Sequence, residues 1–516
     1  MVSATNGHGG TGLSRRRLLG AATAGAVGSA VLGTAQEAQA HGVAPDPATT
    51  AGPREKGAPG AGPVPSWFDE VKLGVFIHWN AAAIPAFAPV HLLGDARPGQ
   101  GGAEPPKWQQ EQVWRTLPYA EMYQNTMAVP GSETARFHKE HYGERPYDDF
   151  VERFRTASIR RWDPRPWAEL FERAGAGYVV LTTKTEDGFL LWPSAHPNPR
   201  KKRWQAPRDV VGELADAVRE RGIRFGTYYC EGMDWTFGGI PITDGESLVA
   251  AMPQGKEYAA YTDAHWRELI TRYRPSVLWN DYGFLPNPDA DALFRTYEEL
   301  VPDGVVNDRF DTARQEAGAL RADFVTLEYA RTNGPADRKW EACRGIGTSF
   351  GYNRLEDDDS YLGATELIHL FIDIVASGGN LLINVGPTGA GEIPAAQEQR
   401  LLALGRWLDA NHAAIRGTRP WHRSAGLTSE GMPIRFTRTA EAVHAIVLGT
   451  PRNDAVEIDV RLDKGADISL LGTEGAGRPP WTATPHGTRI ELPGRRTGQA
   501  ALSLRITPAD AVHDPA

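Results

Sequence analysis

From Lys72 onward, short apolar runs alternate with amphipathic stretches of helical period. This alternation is typical of parallel strands joined by crossover helices. The predicted strands are Leu73–Trp79, Tyr178–Thr183, Arg224–Cys230, Ser276–Asn280, Val305–Asn307, Phe324–Leu327 and Asn380–Val385. The predicted helices are Val210–Arg221, Tyr258–Tyr273, Asp289–Leu300, Thr365–Ala376 and Ala395–Ile415. Such an array closes most economically as a barrel, so we predict an α/β fold of the (β/α)8-like TIM-barrel type.

After Gly417 the pattern changes to short alternating runs separated by Gly, Pro and Asp turns. The predicted strands are Ile434–Thr437, Val443–Leu448, Val456–Leu462, Ile468–Leu471, Thr488–Leu492 and Leu502–Ile506. This spacing predicts a small antiparallel β-sandwich. We expect the barrel at residues 66–418, the sandwich, as a structural or accessory domain, at 419–508 and a tail at 509–516.

The N-terminal segment has the pattern of an export signal. Ser14-Arg15-Arg16-Arg17-Leu18-Leu19 precedes a weakly apolar Ala/Gly run that ends in Ala38-Gln39-Ala40, which resembles a twin-arginine signal. The apolar run from Leu18 to Leu32 is shorter than the roughly 20 residues that span a bilayer. We therefore expect residues 1–40 to be cleaved, residues 41–65 to form a flexible linker, and the protein to be secreted, periplasmic or in the cell envelope.

Charge and cysteine content narrow the class of protein. With 55 Lys and Arg against 64 Asp and Glu, the formal net charge of −9 gives no basic footprint for nucleic acid. Cys230 and Cys343 are the two cysteines, so no disulfide framework is expected. We predict neither a nucleic-acid partner nor membrane attachment after signal cleavage; the sequence leaves the oligomeric state open.

Ionisable residues collect at the predicted carboxyl ends of the strands. They are His78, Glu186 and Asp187, Glu231, Asp281, Asp308 and Arg309, and Glu328. Active sites of (β/α) barrels are built from these strand ends and the loops that follow them. Their convergence favours a catalytic pocket over chance polar residues at strand exits. The long insert from Ala86 to Thr116, which carries Trp108 and Trp114, follows the first strand and is expected to overhang this mouth.

Long sequence blocks in order along residues 66–421 resemble those of the α-L-fucosidases of retaining glycoside hydrolase family 29. The blocks are KLGVFIHWN, YVVLTTKTEDGFLLWPS, VLWNDYGF, VVNDRF, WEACRGIGTSFGYN and GGNLLINVGPTGAGEIP through to IRGTRPW. The resemblance implies an enzyme that hydrolyses α-L-fucosidic linkages of fucosylated oligosaccharides or glycoconjugates. It implies no cofactor and no metal, because two carboxylates and water suffice for this chemistry.

The resemblance assigns Asp281, in VLWNDYGF, as the nucleophile that forms a covalent glycosyl-enzyme. The position of the acid/base varies in the family. Glu328, in DFVTLEY, is the first choice and Glu341, in WEACRG, is the runner-up, with Glu231 and Glu316 as further candidates. The working acid must keep its proton at neutral pH, which partial burial favours.

Carried over to this sequence, the family's sugar contacts fall on His78, Glu121, Trp279, Arg309 and Phe350, with Phe350 against the C5 methyl group.

Two motifs depart from the family at three positions. Its paired histidines in Lys-His-His-Asp-Gly-Phe are Thr185 and Glu186 here, and a common Trp is Met122. We expect Thr185 and Glu186 to bind sugar hydroxyls in place of the imidazoles. A site built for given hydroxyls discriminates strongly against analogues, so α-D-arabinopyranosides and α-L-galactosides stay open as alternative substrates. A non-catalytic carbohydrate-binding barrel is the alternative from another class.

Overall fold

Eight strands pair in parallel in the order β5-β4-β3-β2-β1-β8-β7-β6. The structure, a computed structural model, describes residues 64–90, 107–283, 290–330, 332, 334, 336, 338–472, 478–492 and 498–515. The strands are β1 (Leu73–Ile77), β2 (Tyr178–Lys184), β3 (Arg224–Cys230), β4 (Val277–Asp281), β5 (Val305–Val306), β6 (Val325–Glu328), β7 (Trp340–Gly345) and β8 (Asn380–Val385). A bridge from Asn307 to Phe324 joins the outer strands, and the predicted barrel fold is confirmed.

Helices surround this sheet. Their bounds are Ser66–Val71, Lys107–Arg115, Tyr123–Thr126, Glu133–Tyr142, Tyr147–Arg153, Ile159–Arg161, Pro164–Arg173, Val210–Arg219, Gly245–Ala251, Lys256–Tyr273, Ala290–Leu300, Thr312–Glu316, Ala364–Ala376 and Ala395–Asn411. Each helix predicted from the sequence is present, with ends that differ by at most four residues. None of the helices in the described ranges is long and apolar enough to cross a membrane.

The strand period of two divides the core into an inner and an outer layer. On β1, Val75 and Ile77 belong to the outer cluster beneath the helices, whereas Phe76 belongs to the inner cluster. On β4, Val277 and Trp279 face inward in the same way, so the alternation also turns Asp281 inward. Gly74 leaves space for the aromatic side chain of Tyr178, because a Cβ at position 74 would lie 2.4 Å from that ring. The inward positions at the carboxyl ends of the strands are therefore the ones that can form a pocket.

Strand β7 is the barrel strand that was not predicted from the sequence. It pairs with β6 and β8 over Trp340–Gly345, and Glu341 and Cys343 face inward. Two features make β7 hard to predict from the sequence. Glu341 and Arg344 interrupt its apolar run, and no helix is described between β6 and β7.

The C-terminal domain consists of antiparallel sheets, as predicted. Its strands are β9 (Arg419–Leu427), β10 (Pro433–Arg438), β11 (Val443–Val447), β12 (Ala455–Ile458), β13 (Arg461–Leu462), β14 (Asp467–Leu470), β15 (Trp481–Thr484), β16 (Gly487–Glu491), β17 (Leu502–Thr507) and β18 (Val512–His513). The predicted strand at 456–462 is divided into β12 and β13. The last of these strands, β18, lies in the predicted tail and pairs with β13.

Charged contacts join the two domains. Asp69, before β1, accepts from Lys339 at 2.7 Å, from Arg419 at 2.8 Å and from Lys72 at 3.1 Å. Although burial opposes it, the lysines and Arg419 lower the pKa of Asp69 to about 2. Arg419 is the first residue of β9, so one carboxylate ties the helix before β1 to the C-terminal domain.

The predicted signal at residues 1–40 and most of the linker at 41–65 lie outside the described residues. The same holds for residues 91–106 of the insert. Its helix Lys107–Arg115 buries Trp114 in the same apolar cluster as Met122.

Candidate active site

One pocket opens at the carboxyl ends of the barrel strands. Its wall is formed by Phe76, His78, Tyr119, Glu121, Met122, Glu186, Tyr228, Trp279, Asp281, Tyr282, Glu328, Cys343 and Phe350. Seven predicted site residues are among them: His78, Glu121, Glu186, Trp279, Asp281, Glu328 and Phe350. Residues from distant parts of the sequence thus converge on a single concave site, the arrangement expected of a barrel enzyme.

Three donors orient the Asp281 carboxylate. Arg309 Nη1 lies 2.9 Å from Oδ1, the Tyr282 amide donates to Oδ1 at 3.1 Å, and the Tyr228 hydroxyl donates to Oδ2 at 3.0 Å. Burial, followed by the charge of Asp281, raises the pKa of Tyr228 well above its usual value, so Tyr228 keeps the proton that it donates.

Arg309 also contacts the second carboxyl group of the pocket. Its Nη2 lies 3.7 Å from Glu328 Oε2, its Nε donates to Thr326 Oγ1 at 2.7 Å, and its guanidinium lies 4.7 Å above the Trp279 ring. Burial opposes its charge, but the carboxylates outweigh this and raise the pKa of Arg309. Gly283 lets the loop after β4 pack closely against the backbone of Arg309, because a Cβ at position 283 would lie 2.1 Å from the Arg309 carbonyl oxygen. A single guanidinium therefore touches both carboxyl groups and keeps them close together.

The backbone turns in the same way after each of these carboxyl groups. Tyr282, which follows Asp281, has φ 54°, and Tyr329, which follows Glu328, has φ 49°. Left-handed non-glycine residues are uncommon and cluster at functional sites. The turn ends each strand directly at the inward-facing carboxylate.

Hydrogen bonds fix the tautomer of His78. The side-chain amide nitrogen of Asn384 donates to the Phe350 carbonyl at 2.6 Å. This orientation turns the side-chain oxygen of Asn384 toward His78 Nδ1, which lies 2.6 Å away. Burial lowers the pKa of His78 to about 4, so the ring is neutral and Nδ1 carries the proton. Nε2 is left as a hydrogen-bond acceptor.

Glu186 brings a further carboxyl group into the pocket. The residue is 5% exposed, and no side chain of the described residues donates a hydrogen bond to it. Asp281 on β4, Glu121 on the 119–122 turn and the adjacent Asp187 all face it. Burial, and to a lesser degree these carboxylates, raise the pKa of Glu186 to about 8. Glu186 is therefore mostly a neutral acid at pH 7, with one donor and one acceptor, the same set that a neutral imidazole offers.

Glu121 is held from the opposite side. Its Oε2 accepts from the Gly351 amide at 2.7 Å and from Ser349 Oγ at 3.2 Å, while burial raises its pKa. Next to it, the Tyr119 ring lies 5.8 Å from the Phe350 ring at an angle of 66°. The Phe350 end of the pocket is thus walled by aromatic rings.

Two predicted sugar contacts do not line the pocket. Thr185 is buried outside its wall, where its hydroxyl donates to Asp187 Oδ1 and accepts from Asn80 Nδ2, each at 3.1 Å. Its predicted contact with a sugar hydroxyl is therefore not supported, since neighbouring groups already satisfy the oxygen. Arg309 lies behind the wall and acts on the pocket through the two carboxylates.

The alternative acid/base candidates lie elsewhere. Glu341 is fully buried behind Trp279, where it accepts from Trp279 Nε1 at 3.1 Å and from the Tyr178 hydroxyl. Burial raises the pKa of Glu341 to about 7, but the group does not reach the pocket wall. Glu231 accepts from the Asn280 amide at 2.5 Å, and Glu316 is exposed on a helix. Glu328 alone of the four lines the pocket.

Tyr119, Tyr228 and Asn384 escaped the sequence reading. Tyr228 and Asn384 lie within strands and have the appearance of core residues. Tyr119 stands two residues before Glu121 in the same motif, which could have identified it. Within the described ranges, no group of three or more His, Cys, Asp or Glu side chains is placed to hold a metal ion.

Comparison with known proteins adds to this geometry. Residues 54–413 match the sequence model of the family described as alpha-L-fucosidase. The chain is 31% identical to the tissue alpha-L-fucosidase of Rattus norvegicus over 490 residues, which cover 92% of this chain and 95% of that protein. It is 31% identical to the tissue alpha-L-fucosidase of Homo sapiens over 452 residues, or 84% and 85% of the two chains. A solved structure of the alpha-fucosidase of Thermotoga maritima, in complex with a mechanism-based inhibitor, is similar at 36% identity and a TM-score of 0.75, covering 86% of this chain and 97% of that chain.

Proposed function

Because the chain belongs to the α-L-fucosidase family of glycoside hydrolases, we propose that it releases α-L-fucose from fucosylated saccharides by retaining double displacement. The observation that carries this proposal is the pair Asp281 and Glu328, which line one pocket and share the guanidinium of Arg309. A close pair of carboxyl groups is the arrangement of a retaining enzyme, in which the second carboxylate is the nucleophile.

The two steps divide the work between these carboxyl groups. In the first, an oxygen of Asp281 attacks the anomeric carbon while Glu328 gives its proton to the departing glycosidic oxygen. In the second, Glu328 takes a proton from water, the water oxygen attacks the same carbon, and the Asp281 carboxylate is released.

Arg309 supports the change of role of Glu328. In the free enzyme its guanidinium pairs with Asp281 at 2.9 Å and stands farther from Glu328, at 3.7 Å. When Asp281 becomes an ester it loses its charge, and the nearest remaining anion for the guanidinium is the newly ionised Glu328. The same cation therefore favours the carboxylate form that the second step needs as a base.

The rest of the pocket binds the sugar. His78 offers Nε2 as an acceptor, and Glu186, in its neutral form, offers a donor for a ring hydroxyl. Phe350 and Tyr119 form an apolar wall that suits the C5 methyl group of fucose. This apolar wall favours fucose over L-galactose, which carries a hydroxyl group there.

The test is release of 4-nitrophenol from its α-L-fucopyranoside, beside the α-D-arabinopyranoside and the α-L-galactopyranoside. Asp281→Ala should lose all turnover, and Glu341→Gln, which changes a buried carboxyl group outside the pocket, serves as the control. Turnover of only one of the other glycosides would reassign the substrate. If none of the three glycosides is hydrolysed, the result would favour a non-catalytic sugar-binding barrel.

Azide separates the two catalytic roles by the product it forms. In Glu328→Ala, azide should open the fucosyl-enzyme and give the α-fucosyl azide, with retention. In Asp281→Ala it should take the vacant face of the sugar and give the β-azide. If Glu341→Ala, rather than Glu328→Ala, gives the α-azide, Glu328 is not the acid/base.

We also infer that the protein is exported through its N-terminal segment. The support is the Arg15-Arg16-Arg17 run before the apolar stretch. Replacing Arg16 and Arg17 with Lys should leave the uncleaved precursor in the cytoplasm, as followed by fractionation and mass spectrometry. Unchanged export of the double variant would contradict this inference.

A further inference from the structure

A second cavity opens on the same face of the barrel as the active-site pocket. Its volume is about 550 Å³, and its wall includes Arg153, Arg161, Tyr352 and Arg354. We call it the arginine cavity. Its wall is completed by the segment after β1, by the turn after β8 at Gly389, and by helical residues between β1 and β2. Binding sites for small molecules fall in the range of about 300 to 1,000 Å³, so the space suits a sugar unit.

The charge of this cavity is positive and unbalanced. Among the wall residues that the structure describes, three carry guanidinium groups and none carries a carboxylate. Arg354 donates to the Ile84 carbonyl at 3.2 Å and lies 5.8 Å from the Phe137 ring. Among the residues that the structure describes, no ion pair joins Arg153, Arg161 or Arg354 to an acidic side chain. Guanidinium groups in such a concave site suit an anionic oxygen group.

Local helix geometry brings two of these arginines to the same side. Arg153 and Arg161 flank a π-helical turn at Phe154–Ser158, a type of turn that is frequent at functional sites. The Ser158 hydroxyl donates to the Gly389 carbonyl and fastens this turn to the loop after β8. The backbone that carries both arginines is therefore tied to the barrel.

One short segment connects the arginine cavity to the active-site pocket. Phe350 lines the pocket, whereas Tyr352 and Arg354 line the cavity. Four residues span at most about 14 Å, which is within reach of an oligosaccharide. The segment is anchored at both ends, by the Gly351 amide on Glu121 at 2.7 Å and by the Arg354 amide on the Ala86 carbonyl at 2.8 Å.

We propose that the arginine cavity binds an anionic group, a sulfate ester or a carboxylate, on the saccharide that carries the scissile fucose. The proposal rests on the proposed function, because it assigns the cavity to the saccharide from which the fucose is released. The pocket for the glycone is lined by carboxyl groups and the neighbouring cavity by guanidinium groups. The enzyme thereby selects a neutral terminal sugar on an acidic saccharide.

The test compares kcat/KM for three fucosylated oligosaccharides that differ in one inner sugar: neutral, sulfated and uronic-acid-bearing. The wild-type enzyme should prefer at least one acidic substrate by about tenfold, the effect of one charge-assisted contact. The preference should shrink in high salt, because the arginines are exposed. The larger of the two preferences identifies the anion.

The double variant Arg153→Ala/Arg161→Ala should lose this preference and keep its activity on 4-nitrophenyl α-L-fucopyranoside. Arg160→Ala is the matched control, since Arg160 is exposed on the same segment and does not line the cavity. Equal kcat/KM for all three oligosaccharides, or a preference that survives in the double variant, would overturn the proposal. If the wild-type enzyme itself does not hydrolyse the aryl fucoside, the proposed function is refuted instead.

Discussion

Replacement of Glu186 by Gln tests how the pocket reads a sugar hydroxyl. The pKa of Glu186 is raised to about 8 by burial and by the carboxylates that face it. The neutral form is then about 90% populated at pH 7 and about 10% at pH 9. Above pH 8 the group loses its donor and adds a negative charge beside Asp281. We therefore expect kcat/KM on the aryl fucoside to fall about tenfold between pH 7 and pH 9.

Glutamine keeps a donor and an acceptor but has no proton to lose. In Glu186→Gln the alkaline fall near pH 8 should disappear, while activity at pH 7 stays close to that of the wild type. Glu186→His restores the imidazole of the family pattern and should also remain active at pH 9, because a neutral imidazole does not lose its N–H proton there. An unchanged alkaline fall in Glu186→Gln would refute this account.

Stability provides an independent readout of the same proton. The folded state raises the pKa of Glu186 from 4.5 to about 8, so its contribution to stability is fully present below pH 4.5 and is lost as the pH rises to about 8. The loss is on the order of 1.4 kcal/mol for each pH unit, or roughly 4 kcal/mol between pH 5 and pH 8. Urea unfolding should show that Glu186→Gln gains stability relative to the wild type over this interval. A constant difference between the two proteins would contradict the assignment.

Three further substitutions test separate contacts. Tyr228→Phe removes the hydrogen bond to the nucleophile and should lower kcat by about tenfold or more with little change in KM, as measured by steady-state kinetics. Phe350→Asn should lower the ratio of kcat/KM for the fucoside over the arabinopyranoside by about tenfold, because one buried methyl group is worth that much. Asp69→Asn should lower the free energy of unfolding by about 3 kcal/mol in urea, since it strands buried Lys72 and Lys339; an unchanged value would show that these cations need no partner.

The sequence predicted the parts of the site that follow from strand order and alternation. Asp281 and Trp279 face the pocket because they are two residues apart on β4, and that register can be read from the apolar pattern. Glu328 could be preferred over Glu341, but the physical reason emerges only from the fold. Both face inward, and Glu341 lies near the start of β7, against Tyr178 and Trp279, whereas Glu328 ends β6 at the mouth.

Other contacts depend on pairings between distant segments, which no local pattern reveals. The tautomer of His78 is set by Asn384, 306 positions away, and Thr185 is turned from the pocket by Asn80 and Asp187. The protonation of Glu186 likewise requires its depth and its neighbours. These properties come from assembly of the barrel.

The ion pair between Asp69 and Arg419 has a consequence for the exchange of C-terminal domains between relatives. Because the barrel leaves part of its charge balance to a residue of the C-terminal domain, that domain is not an interchangeable module. A chimera that took its C-terminal sheets from a relative without a cation at this position would keep Lys339 and Lys72 beside Asp69 but would lose the ion pair that joins the two domains. Exchange of the C-terminal domain therefore changes the charge balance around Asp69 as well as the sheets themselves.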